Sequence, residues 1–163
     1  YMPTILQAIG LPETPGMDGR SFLPLINDEQ QEQREVVFTE FHKIFARIEY
    51  PMRSVQDATY GYIVNFWADG EKQIRGDALS GRTFQAMREA AASNDTMAER
   101  MDLFQHRVPE ELYDYSVDPD GLVNLIDNPD LQQEIQRLKE LLHAEMQRTD
   151  DPLLRDFENE FVK

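Results

Sequence analysis

Apolar residues along the chain come in short bursts whose spacing changes from one segment to the next. Ile5, Leu6 and Ile9 follow Pro3 and stop at Gly10, which predicts a short helix over 3–9. Two Pro and two Gly between Leu11 and Gly19 predict a loop with turns. Phe22, Leu23, Leu25 and Ile26 make a patch the size of one helical turn, and 27–34 reads as a polar connector. From Glu35 the pattern turns to β-branched and aromatic residues. Val36, Val37, Phe38, Thr39 and Phe41 predict a strand over 35–42. Met52–Gln56 predicts a second, with Pro51 at its start. Tyr60, Tyr62, Ile63, Val64, Phe66 and Trp67 predict a third over 60–67, and Ala58–Gly61 supplies the turn of an antiparallel hairpin. Glu111–Asp114 predicts a short fourth strand.

Between the third and fourth strands the period becomes helical. Thr83–Ser93 is rich in Ala, Met, Gln and Glu and predicts a helix, with Ser80 or Thr83 as its cap. Met97, Met101 and Phe104 mark a second over 95–105. The clearest element comes last. Asn128-Pro129-Asp130 opens it, and Leu131, Ile135, Leu138, Leu142 and Met146 form one apolar stripe. Asp151-Pro152 ends it, and the acidic tail to Lys163 is expected to wrap a surface. Four short strands need one face covered, so the fold class expected is α+β: a small antiparallel sheet with the long helix laid on it.

Charge narrows the partners. The chain of 163 residues has 16 Lys and Arg against 31 Asp and Glu, so 16 − 31 gives −15. That sign repels phosphate backbones, no basic patch stands out, and nucleic-acid binding is not expected. There is no Cys, hence no disulfide, thiolate metal site or cysteine nucleophile. No apolar run is long enough to span a bilayer, and no membrane span is expected. Tyr1-Met2-Pro3-Thr4-Ile5 starts apolar at once, which is expected of a piece of a longer protein.

Candidate chemistry is sparse. His42, His106 and His143 fall in separate elements without ligand spacing, so no metal site is expected from them. His106 reads as a loop residue and His143 as a solvated helix-end residue. His42 lies at a strand end, two residues after Glu40 and beside Lys43, where sites collect; it fits either a surface turn or a ligand contact. Asp118-Pro119-Asp120 and 127–130 lack calcium-loop spacing and read as turns and caps. No phosphate loop or nucleophile motif is present, and no catalytic residue is assigned to this chain.

Three sets of residues carry a resemblance. Met2-Pro3-Thr4-Ile5-Leu6 through Gly10-Leu11-Pro12, with Met17-Asp18-Gly19-Arg20-Ser21-Phe22-Leu23-Pro24-Leu25, is similar to the segment that ends a sulfatase catalytic domain. Glu111-Leu112-Tyr113-Asp114, Asp118-Pro119, Asn124-Leu125 and Pro129 resemble the sulfatase C-terminal pattern, departing from it at Gly121 and Ile126. Tyr50-Pro51-Met52-Arg53-Ser54-Val55-Gln56, Thr83-Phe84-Gln85 and Thr149-Asp150-Asp151-Pro152 are similar to strings in the heparan N-sulfatases (N-sulfoglucosamine sulfohydrolases).

The resemblance implies a sulfatase of the alkaline-phosphatase-like superfamily acting on N- or O-sulfate groups of heparan-type sugars. Residues 1–34 would be the linker and helix from the end of a catalytic domain, and 35–163 the C-terminal subdomain. It implies a Ca²⁺ ion and a formylglycine, made from Cys or Ser in a C/S-x-P-x-R motif, both in an N-terminal domain. Ser21-Phe22-Leu23-Pro24 has its Pro at the wrong offset, and no such motif occurs in this chain. The implied partners are that N-terminal domain, a sulfated sugar and a second copy in a homodimer; the implied location is periplasmic, secreted or lysosomal. Candidate substrate-binding residues are His42, Glu40, Lys43 and Arg53. Arg53 fits either of two roles, pairing with a sulfate or uronate or an ion pair to a carboxylate between domains. The alternatives are another hydrolase of the superfamily, an O-sulfatase or phosphonate monoester hydrolase, and a non-catalytic dimerisation module.

Overall fold

Pro3 sits in the first turn of helix α1 (Met2–Ala8), where its missing N–H costs no hydrogen bond. A computed structural model describes residues 1–17, 19–31, 35–44 and 47–162, in two compact units, Tyr1–Arg34 and Glu35–Lys163. In the first unit, Thr4 is buried and its Oγ1 accepts the Phe22 amide at 3.1 Å, at the start of helix α2 (Leu23–Ile26). Ser21 Oγ accepts the Leu23 amide, and Gln31 Nε2 donates to the Ser21 carbonyl at 2.7 Å. The polar residues of this stretch thus hold backbone to backbone.

The second unit is built on strands β1 (Val37–Lys43), β2 (Glu49–Gln56), β3 (Tyr60–Asn65) and β4 (Glu110–Asp114), antiparallel in that spatial order. Short hairpins join β1 to β2 and β2 to β3, whereas the segment with the helical pair separates β3 from β4; Asp57 makes the β2–β3 turn by accepting the Thr59 and Tyr60 amides at 2.7 Å each. The register sets Val55 opposite Tyr62, Tyr62 opposite Leu112 and Arg53 opposite Val64. Those residues share one face. Helix α5 (Gln132–Arg148) covers it with Ile135, Leu138, Leu142 and Met146, all buried. Each such side chain contributes about 1.5–3 kcal/mol by leaving water. The expected α+β fold, a small antiparallel sheet under a long C-terminal helix, is the fold observed.

Four details differ from the sequence expectations. Pro51 lies inside β2 rather than at its start. The register jumps between Phe41 opposite Met52 and Lys43 opposite Glu49, leaving His42 alone against Tyr50 and Pro51. The third strand stops at Asn65, because the Phe66 amide turns back to the Pro51 carbonyl and the Ala68 amide to that of Asn65. Helix α3 (Arg82–Ala91) starts from Gly81 with no side-chain cap, neither Ser80 nor Thr83 serving. The acidic tail is not an extended wrap: it forms helix α6 (Leu154–Glu160), which buries Phe157 and, just beyond its end, Phe161 in the same core. Helix α3 pairs with α4 (Asp95–Gln105), where Asn94 Oδ1 caps by accepting the Met97 amide.

Candidate functional site

Glu40 and Arg53 are register partners across β1 and β2, so both side chains leave the sheet on the α5 face. Arg53 is only 3% exposed. All three nitrogens of its guanidinium are engaged: Nε and Nη2 donate to Asp151 Oδ2 and Oδ1 at 2.5 and 3.0 Å, and Nη1 donates to the Met52 carbonyl at 2.8 Å. Asp151 lies in the turn between α5 and α6, so the fork ties β2 to the end of the covering helix. Of Arg53's two expected roles, the structure shows an ion pair, with its carboxylate in the same unit. Burial pushes the Asp151 carboxyl up, but hydrogen bonds from Arg53 and Leu153 and the charges of Arg53 and His42 hold it below the usual carboxylate range.

The exposed edge of this cluster is Glu40 and His42. Glu40 Oε2 lies 3.8 Å from Arg53 Nε and 3.5 Å from His42 Nε2. Both side chains are about half exposed or more, 63% and 49%. Three of the four expected residues therefore converge on one end of the sheet. Lys43 does not join them: it sits past the irregularity, opposite Glu49, and makes no ion pair among the described residues. The rim can take a sugar hydroxyl on the Glu40 carboxylate and donate a hydrogen bond from the His42 ring.

A second polar cluster, on the opposite face, is buried. Glu111 is 1% exposed, yet it carries a carboxylate. Asn65 Nδ2 donates to Oε1 at 2.7 Å, while Arg107 Nη1 and the Tyr113 hydroxyl donate to Oε2 at 2.9 and 2.5 Å. Burial and the Glu111 carboxylate push the Tyr113 hydroxyl well above its ordinary range, so it stays a donor. Asn65 Oδ1 and Trp67 Nε1 are buried without a partner among the described residues. Sequence reasoning missed this cluster. The signal was the Glu111-Leu112-Tyr113-Asp114 string itself, whose alternation sends Glu111 and Tyr113 to one face.

The rest of that pattern is structural too. Asp118 Oδ2 accepts the Leu122 and Val123 amides, and Asn124 Oδ1 accepts those of Leu112 and Ile126. Asn128 Oδ1 caps the turn at Pro129. The remaining histidines are tied down: His106 Nδ1 to Asp102 and His143 Nε2 to Glu158, both at 2.9 Å. His143 is 25% exposed and stacked on Phe157, so it is packed rather than solvated. Among the described residues no group of three or more His, Asp or Glu is placed to hold a metal ion, and no helix is long and apolar enough to cross a membrane.

No family model matches the chain, and no curated protein matches it in sequence. Its fold does match solved structures. A Bacteroides thetaiotaomicron protein assigned as a sulfatase superposes with a TM-score of 0.62 at 20% identity, over 93% of this chain and 24% of its own. A 2-O GAG sulfatase gives a TM-score of 0.61 at 20% identity with the same coverage. A protein solved with its substrate, D-glucosamine-2-N,6-O-disulfate, gives 0.58 at 14% identity over 92% and 24%. The fold is that of the C-terminal subdomain of a sulfatase. The chain spans about a quarter of the length of the structures it matches.

Proposed function

We propose that this chain is the C-terminal portion of a sulfatase acting on sulfated sugars, completing the fold and the substrate rim of a catalytic domain that precedes it. The observation that carries the reading is the sulfatase fold over more than nine-tenths of the chain. The sugar class is supported by two of the similar proteins, a GAG sulfatase and one solved with a glucosamine disulfate. N-sulfate as the group removed is supported by the heparan N-sulfatase-like string that forms β2 around Arg53. O-sulfate is the second reading, favoured by the 2-O GAG sulfatase.

In this account Glu40 and His42 contact the sugar, Lys43 pairs with a sulfate, and Arg53 is a positioning residue that holds Glu40 while bound to Asp151. The formylglycine of the family does not fit residues here, since no C/S-x-P-x-R motif occurs in the sequence, and no group of three or more His, Asp or Glu among the described residues is placed to hold the Ca²⁺ ion. We assign both to the preceding domain and route no step through this chain.

The test is a substrate panel with the full-length protein: N-sulfoglucosamine, 2-O- and 6-O-sulfated sugars, and a phosphonate monoester. Sulfate release from a sulfated sugar is expected, and best turnover of the phosphonate would replace the reading with the phosphonate hydrolase alternative. The 163-residue chain alone should release none. Sedimentation of both forms tests the dimer: one present in the full-length protein is native, and one confined to the short chain favours neither homodimer nor dimerisation module.

A further inference from the structure

Charge is divided unevenly along the chain, and folding gathers what looks scattered in sequence. Residues 41–88 hold seven Lys and Arg against five Asp and Glu, a net +2. The other 115 residues hold nine against 26, a net −17. Pairing follows the same division. Arg107, Arg137, Lys139 and Arg148 each have a carboxylate partner. Within 41–88, among the described residues, Arg53 alone of the Lys and Arg forms an ion pair with a carboxylate. Lys43, Arg47 and Arg75 have none among the described residues, and Lys72 has the charge of Asp69 nearby but no ion pair within bonding distance, in a chain where acids outnumber bases almost two to one.

Those four meet at one end of the sheet. Lys43 faces Glu49 across β1 and β2, and Arg47 lies in the turn between the strands. Lys72 Nζ donates to the Glu49 carbonyl at 3.0 Å and lies 5.2 Å from the centre of the Tyr50 ring. The Tyr50 hydroxyl accepts the Arg75 amide at 2.7 Å and donates to the Gln73 carbonyl at 3.1 Å. Tyr50 is buried, edge-on to Trp67 at 4.9 Å. The segment that carries Lys72 and Arg75 is therefore fixed to the start of β2 by a buried aromatic.

Arg47 has a φ of +58°, in the left-handed region that Gly and Asn enter more readily than a long side chain, at an exposed position of the turn. Acids stand nearby as well. Glu49, Asp69 and Glu71 are all exposed, and Asp69, which accepts the Glu71 and Lys72 amides, is held below the usual carboxylate range by those amides and by the Lys72 charge. They separate the cations into points, which suits spaced sulfates on a sugar chain better than the even charge of a phosphate backbone.

We propose that Lys43, Arg47, Lys72 and Arg75 bind a further sulfated unit of an oligosaccharide at the end of the sheet where β1 turns into β2. The proposal rests on the sulfatase reading for the kind of anion. The test is calorimetric titration of the full chain with a heparin-derived octasaccharide at low and high salt. Binding should weaken with salt, and Arg47→Gly and the double variant Lys72→Ala/Arg75→Ala should each weaken it by about threefold to tenfold. Arg47→Gly should also raise the thermal midpoint, which separates lost contact from lost folding. Arg155→Ala, an exposed cation in α6, should bind like the parent. Equal affinity in all variants, equal loss in Arg155→Ala, or equally tight binding of single-stranded DNA or a desulfated octasaccharide would overturn the proposal. Sulfate release by the full-length protein is a separate readout: octasaccharide binding without release removes the sulfatase reading and leaves this surface, whereas release with unchanged variants does the reverse.

Discussion

Arg53 and Asp151, 98 residues apart, form a two-pronged ion pair at 2.5 and 3.0 Å in a site where neither side chain is more than 6% exposed. The pair joins the middle of the sheet to the turn after the long helix. Its outer neighbour is Glu40, which in turn reaches His42. The rim is thus supported from beneath by a buried charge pair.

Breaking that pair from one side strands the other charge. Asp151→Ala or Arg53→Ala should each cost about 3–5 kcal/mol, measured by urea unfolding. The double variant Arg53→Met/Asp151→Leu, which removes both charges, should cost clearly less than the sum of the two losses. Additive losses would show that the two side chains act independently.

Acid should unfold the protein through two aspartates. Burial raises the Asp57 carboxyl, but the Tyr60 and Thr59 amides and Arg137 outweigh it and hold it below the ordinary 3.8; Asp151 is lowered likewise. A carboxylate depressed in the folded state binds fewer protons there than in the unfolded chain. Its contribution is therefore complete above pH 3.8 and is lost as pH falls through the depressed values. Urea midpoints from pH 6 down to about pH 2 should fall below about pH 4, and Asp57→Asn should flatten the fall. An unchanged slope in Asp57→Asn would remove that residue from the account.

Gly61 is where the sheet admits Tyr115. A Cβ there would lie 2.5 Å from Tyr115 Cε2 and 3.1 Å from its hydroxyl. Gly61→Ala should cost about 1–3 kcal/mol by overpacking, and the cost should shrink when combined with Tyr115→Ala. Equal costs in both backgrounds would place the strain elsewhere.

Helix α6 should be worth as much as a core element. Phe157 is fully buried between Phe66, Phe161 and His143, with ring centres 6.5, 5.9 and 6.2 Å away. Phe157→Ala should cost about 3–5 kcal/mol in urea unfolding. A loss within the range of a surface change, about 0.5 kcal/mol, would mean the helix is only loosely attached.

The sheet and the long helix were legible because their apolar periods are strong: Val55, Tyr62, Val64 and Leu112 on one side, and Ile135, Leu138, Leu142 and Met146 on the other. Helix α6 carries a period too, Leu153, Phe157 and Phe161 four apart, but five acidic residues between 150 and 160 masked it. At the rim, Glu40, His42 and Arg53 were legible from their strand positions. Arg53's partner was not, since no local pattern links it to Asp151 across 98 residues. Glu111 was legible only as part of a motif; its burial depends on Asn65 and Arg107 arriving from other segments.

The rim's assignment to substrate is the central claim, and the most direct measurement is sulfate release by the full-length protein carrying His42→Ala or Glu40→Gln. Both side chains are exposed, so the fold should survive either change. The account predicts a KM for a sulfated glucosamine raised about threefold to tenfold in each variant with kcat nearly unchanged, the pattern of lost binding contacts. A protein that releases sulfate with KM unchanged in both variants would contradict it.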